Sequence, residues 1–151
     1  RGGPLATRDE VVRRRLEELD AAYPGGVDPL LAVWEDALAA EAWTAGPRWL
    51  HGDLHPGNLL VTPAGVLAGV LDFGDLTAGD PATDLAVAWM VFDVDTRAEF
   101  AARLRAAGHL DDATWRRARG WALAFGLLLA GLGDDAEYAA VGHRTLAGVR
   151  R

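Results

Sequence analysis

His51-Gly52-Asp53-Leu54-His55-Pro56-Gly57-Asn58, followed after a short β-type passage by Asp72-Phe73-Gly74-Asp75, decides how this chain reads. Between the two polar blocks lie Leu59-Leu60-Val61 and Val66 to Leu71, two short runs that suit strands. Thr62-Pro63-Ala64-Gly65 separates them, with proline and glycine where a type I turn wants them. A hairpin is expected. Antiparallel strands start and finish side by side, so both polar blocks fall at one end of it. Asp53, Asn58 and Asp72 can then face one point. Two carboxylates and an amide oxygen are hard donors, suited to Mg²⁺, which keeps few protein ligands and takes its other oxygens from water and phosphate.

Outward from the hairpin the pattern turns helical. Thr7-Arg8-Asp9-Glu10 has the form of a capping box, and Val12, Leu16, Leu19 and Tyr23 follow at helical spacing until Pro24-Gly25-Gly26. Asp28-Pro29 opens a second helix, with Leu30, Leu31, Trp34, Leu38 and Trp43 as its stripe and Gly46-Pro47 as its end. Asp80-Pro81 starts a third, running through Ala82, Leu85, Ala88, Trp89 and Phe92. Thr96 and Glu99 form another capping box before Phe100, Leu104 and Gly108. A long helix from about Asp111 to Leu132 and a last one after Asp134 complete the chain. The expected fold is mainly α with a small β hairpin, one domain over residues 1–151.

The two polar blocks together resemble the aminoglycoside phosphotransferase family, kin of choline kinases and distantly of protein kinases. His-Gly-Asp-x-x-x-x-Asn followed by Asp-Phe-Gly after a hairpin carries the likeness, and Gly79-Asp80-Pro81-Ala82-Thr83-Asp84-Leu85-Ala86 continues it. It is close over about Leu50 to Trp89 and loose over the remaining helices. The resemblance implies the C-terminal lobe of a protein-kinase-like α+β fold. It makes Asp53 the catalytic aspartate that receives the acceptor hydroxyl's proton, and Asn58 and Asp72 the ligands of Mg²⁺ held with ATP or another nucleoside triphosphate. His51 is implied to brace the catalytic loop, and Asp84 to anchor it from the following helix. The acceptor would be a hydroxyl of an aminoglycoside or a similar polar metabolite.

Composition limits the alternatives. Of 151 residues half are hydrophobic and a quarter charged, enough to bury a core. The net charge of −7 argues against nucleic acid and anionic membranes as partners. No cysteine is present, which removes thiolate chemistry. All 15 basic residues are arginine. The lysine that pairs with ATP in the family therefore has no counterpart here, and neither has a Gly-x-Gly-x-x-Gly loop. With a start at Arg1, the chain is expected to be the C-terminal lobe alone, its N-terminal lobe lying elsewhere in the same polypeptide. Uncovered apolar surface should then favour self-association, and the lobe alone should be inactive. No signal-peptide pattern or membrane-length apolar run occurs, so a cytoplasmic protein is expected.

Duller readings compete at several positions. His51, Asp53 and His55 alternate, as a transition-metal site of a hydrolase would. Asp84 could be a plain helix-surface carboxylate. Asp134, Asp135 and Glu137 suit a helix start better than a cation-binding patch. The six tryptophans read as core and groove walls, with Trp115 and Trp121 on different helix faces, so that one is expected to be exposed. A degenerate, non-catalytic kinase-like module remains the rival from another class; it predicts a substitution at Asp53, Asn58 or Asp72, and there is none.

Overall fold

Helices and two small, largely exposed sheets make up the computed structural model, which describes residues 2–20, 23, 26–133 and 135–151, with the side chain of Asp20 left aside. The expectations that rested on Pro24, Gly25 and Asp134 fall outside these residues. A 3-10 turn over Leu5–Arg8 leads into α1 (Asp9–Asp20). Thr7 Oγ1 donates to Pro4 O at 2.8 Å, so it does not cap the helix as its spacing predicts. Asp9 takes over the entry, accepting from Arg13 Nε and, at 2.7 Å, from Trp34 Nε1 of the next helix.

That next helix, α2 (Asp28–Leu38), carries Pro29 in its first turn and buries Leu30 and Trp34 completely. It stops at Leu38, well before Gly46. The chain beyond is drawn off by Arg117, whose Nη1 donates to Glu41 O, and Trp43 lies outside the helix.

Four strands follow: β1 (Arg48–Leu50), β2 (Leu59–Val61), β3 (Leu67–Val70) and β4 (Thr77–Gly79). The predicted hairpin is β2–β3, registered Leu59 to Val70 and Leu60 to Gly69, with an irregularity after Leu60. Its turn closes by Gly65 N donating to Thr62 O at 2.9 Å, and Gly65 adopts φ 77°. A second sheet, not expected from the sequence, pairs β1 with β4 antiparallel, Arg48 opposite Gly79 and Leu50 opposite Thr77. Three-residue strands of mixed polarity carry too few alternations to register as a pattern.

The predicted third helix is two. α3 (Ala82–Leu85) and α4 (Val87–Val91) are separated at Ala86, where an i→i+3 bond from Trp89 N to Ala86 O tightens the chain. α5 (Val94–Ala106) starts earlier than Thr96, because Asp93 caps it by accepting from Thr96 N at 2.8 Å. α6 (Asp112–Ala130) and α7 (Ala136–Val149) are capped by Asp111 and Asp135.

α6 is the central pillar. Trp121 and Leu123 on it are buried against Trp34, Leu30 and Leu146 in one apolar cluster. Truncating such a tryptophan costs about 3–5 kcal/mol. Along α7, Gly142 lets the two helices close up, since a Cβ there would strike the backbone of Ala130. Trp115 is half-buried, its ring 4.4 Å from that of Trp89. Trp49 on β1, at 79 % exposure, is the exposed tryptophan instead. Asp80 and Arg117 form a buried ion pair, Oδ2 to Nε 2.7 Å, that also reaches Thr114 and the N–H of Ala82. Unpairing a buried charge of this kind costs about 3–5 kcal/mol.

Candidate active site

The loop from His51 to Asn58 leaves β1 and enters β2, held from three sides. Asp84 on α3 grips its start with both carboxylate oxygens: His51 N donates to Oδ2 at 2.7 Å and Gly52 N to Oδ1 at 3.0 Å. Asp84 is thus tied into the loop and is not a bare surface carboxylate. Gly52 has φ 83°, and a Cβ there would collide with Asp75 O. That position admits only glycine without strain, and it presses the first polar block against the second.

His51 is buried and uses both ring nitrogens. Nδ1 accepts from Asp53 N at 3.3 Å, which leaves Nε2 to donate to Leu71 O at 2.7 Å. Its ring also lies 4.8 Å from that of Phe73. One imidazole therefore joins the backbone of Asp53 to the residue before Asp72. The same engagement leaves no lone pair for a metal, so His51, Asp53 and His55 do not form the hydrolase-type trio. Among the described residues no group of three or more His, Cys, Asp or Glu side chains is placed to hold an ion.

Asn58 is buried at the foot of the loop. Its Nδ2 donates to Asp53 O at 2.9 Å, which orients the amide and frees Oδ1 to face elsewhere. Its own carbonyl accepts from Leu71 N at 2.9 Å, carrying the hairpin ladder one step beyond β3. Asp72 follows at once, exposed, with φ 57° and ψ 70°. Among the described residues it is the one non-glycine with positive φ. Its Oδ1 accepts from Gly74 N at 3.2 Å, the short side-chain turn that lets aspartate tolerate this region. Such backbone costs about 1–2 kcal/mol and commonly marks a functional position.

His55 stands beside Asp53, its Nε2 3.7 Å from Oδ2. Nδ1 accepts from Gly57 N, and the ring meets Tyr138 of α7 edge-on at 5.5 Å. Asp53, Leu54 and His55 open on a small pocket of about 40 Å³ walled by Met90, Phe125, Leu128 and Leu129. Sequence reasoning gives no hint of Tyr138 or of this apolar wall. They lie on helices far along the chain, and their residue types match any core position.

Known proteins can now be set beside this geometry. The sequence model of the phosphotransferase enzyme family matches residues 1–121. No curated protein matches the chain. Among solved structures, a macrolide 2'-phosphotransferase type I superposes with a TM-score of 0.55 at 21 % identity, covering 95 % of this chain and 49 % of that one. The apoenzyme of macrolide 2'-phosphotransferase MphH from Brachybacterium faecium gives 0.48 at 24 % identity, covering 95 % and 51 %. The chain therefore spans about half the length of these structures.

Proposed function

The chain belongs to the phosphotransferase enzyme family, and from that premise we propose that it is the C-terminal, acceptor-side lobe of an ATP-dependent enzyme that phosphorylates a hydroxyl of a small molecule. Asp53 orients that hydroxyl and takes its proton. A carboxylate is too weak a base to ionise an alcohol beforehand. It accepts the proton late, as the bond to the phosphoryl group forms through a loose transition state. Most of the acceleration is then positional and electrostatic.

The observation that carries this reading is the bridge from Asp53 N through the His51 ring to Leu71 O. It yokes the loop of Asp53 and Asn58 to the approach of Asp72. The donor set fits Mg²⁺: Asn58 is turned so that its amide oxygen is free of the Asp53 bond, and Asp72 offers an exposed carboxylate. Bound there with a nucleotide, the cation would neutralise charge on the phosphate oxygens. One carboxylate and one amide suffice for such a site, which phosphate and water complete.

The ATP-covering lobe belongs elsewhere in the same polypeptide. Leu60, Val61, Leu67, Leu71 and Phe73, each about half-exposed on or beside the hairpin, give it an apolar seat. Without it this lobe binds nucleotide weakly, does not turn over and is prone to self-association. No helix among the described residues is long and apolar enough to cross a membrane, and we place the enzyme in the cytoplasm, where ATP is made available. The acceptor hydroxyl enters beside Asp53 against Met90, Phe125 and Leu128; macrolides and aminoglycosides are the first acceptors to try.

The test is transfer of labelled γ-phosphate from Mg-ATP to a panel of such alcohols by the whole polypeptide. Acceptor-dependent product that disappears in Asp53→Asn is expected. Absence of phosphorylated product with every alcohol, from protein shown to be folded, would refute the assignment.

A further inference from the structure

Beside α4 the structure holds a buried cation that no direct ion pair neutralises among the described residues. Arg97 on α5 is only 6 % exposed. Its guanidinium lies 5.4 Å from the ring centre of Trp89, and the one hydrogen bond it makes among the described residues, Nη2 to Gly148 O, is long at 3.4 Å. No ion pair involves it among the described residues. A buried charge without a direct ion pair is costly.

The neighbours sharpen the imbalance. Burial, together with the Arg119 and Arg151 charges, holds the Arg97 pKa below its usual value, and Asp93 opposes this only in part. The Asp93 carboxylate is committed to Thr96 N as the cap of α5. At the end of α7, Arg119 Nε donates to Val149 O at 2.6 Å, which leaves Arg97 only its long bond to Gly148 O. Arg97 opens instead on a cleft of about 380 Å³ that Arg144 and Arg151 also line, with Trp89 and Phe92 on its wall. That volume lies in the range of small-ligand sites, ~300–1,000 Å³. Asp93 lines the cleft too, so three guanidinium groups face one carboxylate there, a local positive excess in a chain of net charge −7.

We propose that this cleft binds a phosphate group, with Arg97 as its buried anchor and Arg144 and Arg151 closing over it. Arginine suits this role through its planar fork of donors, which matches phosphate oxygens in pairs. The site is separate from the Asp53 loop but adjacent to it, since Met90 of α4 lines both this cleft and the small pocket beside Asp53.

Titration of the metal-free protein with inorganic phosphate and with phenyl phosphate, against chloride at matched ionic strength, tests the proposal. A chelator keeps the Asp53 loop from recruiting phosphate through a cation. A saturable rise in melting temperature is expected, about 2–4 °C near saturation. It should vanish in Arg97→Met, persist in Asp53→Asn, and need roughly 3–10 times more ligand in Arg144→Ala. Because Arg144 is exposed, that variant keeps its fold should Arg97→Met lose it. Tighter phenyl phosphate identifies an ester whose body lies on Trp89 and Phe92, whereas equal affinities identify free phosphate, and either supports the site. No saturable rise with either compound, or titrations unchanged in both arginine variants, overturns it.

Discussion

The carboxylate of Asp84 and the backbone N–H of His51 lie 2.7 Å apart, and the same carboxylate takes the next amide, that of Gly52, at 3.0 Å. An aspartate on a short helix thereby sets the path of the loop that bears Asp53. Charge-assisted bonds of this kind contribute about 1.5–3 kcal/mol each. Asp84→Ala should lower unfolding stability by about 2–4 kcal/mol and turnover by more than Asp84→Asn does. Urea unfolding alongside steady-state rates makes the comparison, and a loss below about 0.5 kcal/mol would show that the loop is held by something else.

Asp53 separates chemistry from folding. In the whole enzyme, Asp53→Asn should cut turnover by about 10²–10⁴ while leaving the apparent affinity for Mg-ATP close to that of the parent. Equal turnover in parent and variant would remove the proton-accepting role.

Asp72 sets backbone strain against ligand chemistry. Asp72→Asn keeps both the side-chain turn to Gly74 and a residue tolerant of φ 57°, so its stability should match the parent. Asp72→Ala should lose about 1–2 kcal/mol. Both should lose Mg²⁺-dependent activity. If the asparagine variant stays active at ordinary Mg²⁺ concentrations, Asp72 is not a metal ligand.

The cap of α6 and the Asp36–Arg116 ion pair predict the acid limb of stability. Thr114 N–H and hydroxyl hold the Asp111 carboxyl below its usual 3.8, and the Arg116 hydrogen bond does the same for Asp36. A carboxylate depressed in the folded state stabilises above its unfolded pKa and loses that contribution as pH falls through the folded value. Stability should therefore be flat from pH 7 to about 5 and decline below about 4. Asp111→Asn, which keeps a cap but removes the charge, should decline less steeply. Identical acid limbs for parent and variant would contradict the assignment.

Much of this was legible from local chemistry. Thr62-Pro63-Ala64-Gly65 specifies its own turn, and Asp111 announces the start of α6, because the partners of such residues lie within a few positions. What stayed hidden depends on distant partners. The end of α2 is set by Arg117, half the chain away, and nothing in Ala39-Ala40-Glu41 marks it. Thr96 and Glu99 have the spacing of a capping box, yet Asp93 outcompetes them three residues earlier. The pairing of β1 with β4 brackets the whole site without leaving a periodicity in either strand. His51 was implied by the resemblance to hold the loop, and its ring does bond Leu71 O, an acceptor that no spacing in the sequence points to.

Asp84, His51, Asn58 and Leu71, which all give the loop hydrogen bonds, lie inside residues 51–84. The loop travels as a cartridge, carrying its own clamps and asking the surrounding helices mainly for a floor. Those helices can then change the wall beside Asp53 while the clamped loop keeps its shape. One cartridge can thus be rehoused among different walls, and Met90 of α4 with Phe125, Leu128 and Leu129 of α6 is the wall that faces Asp53 here.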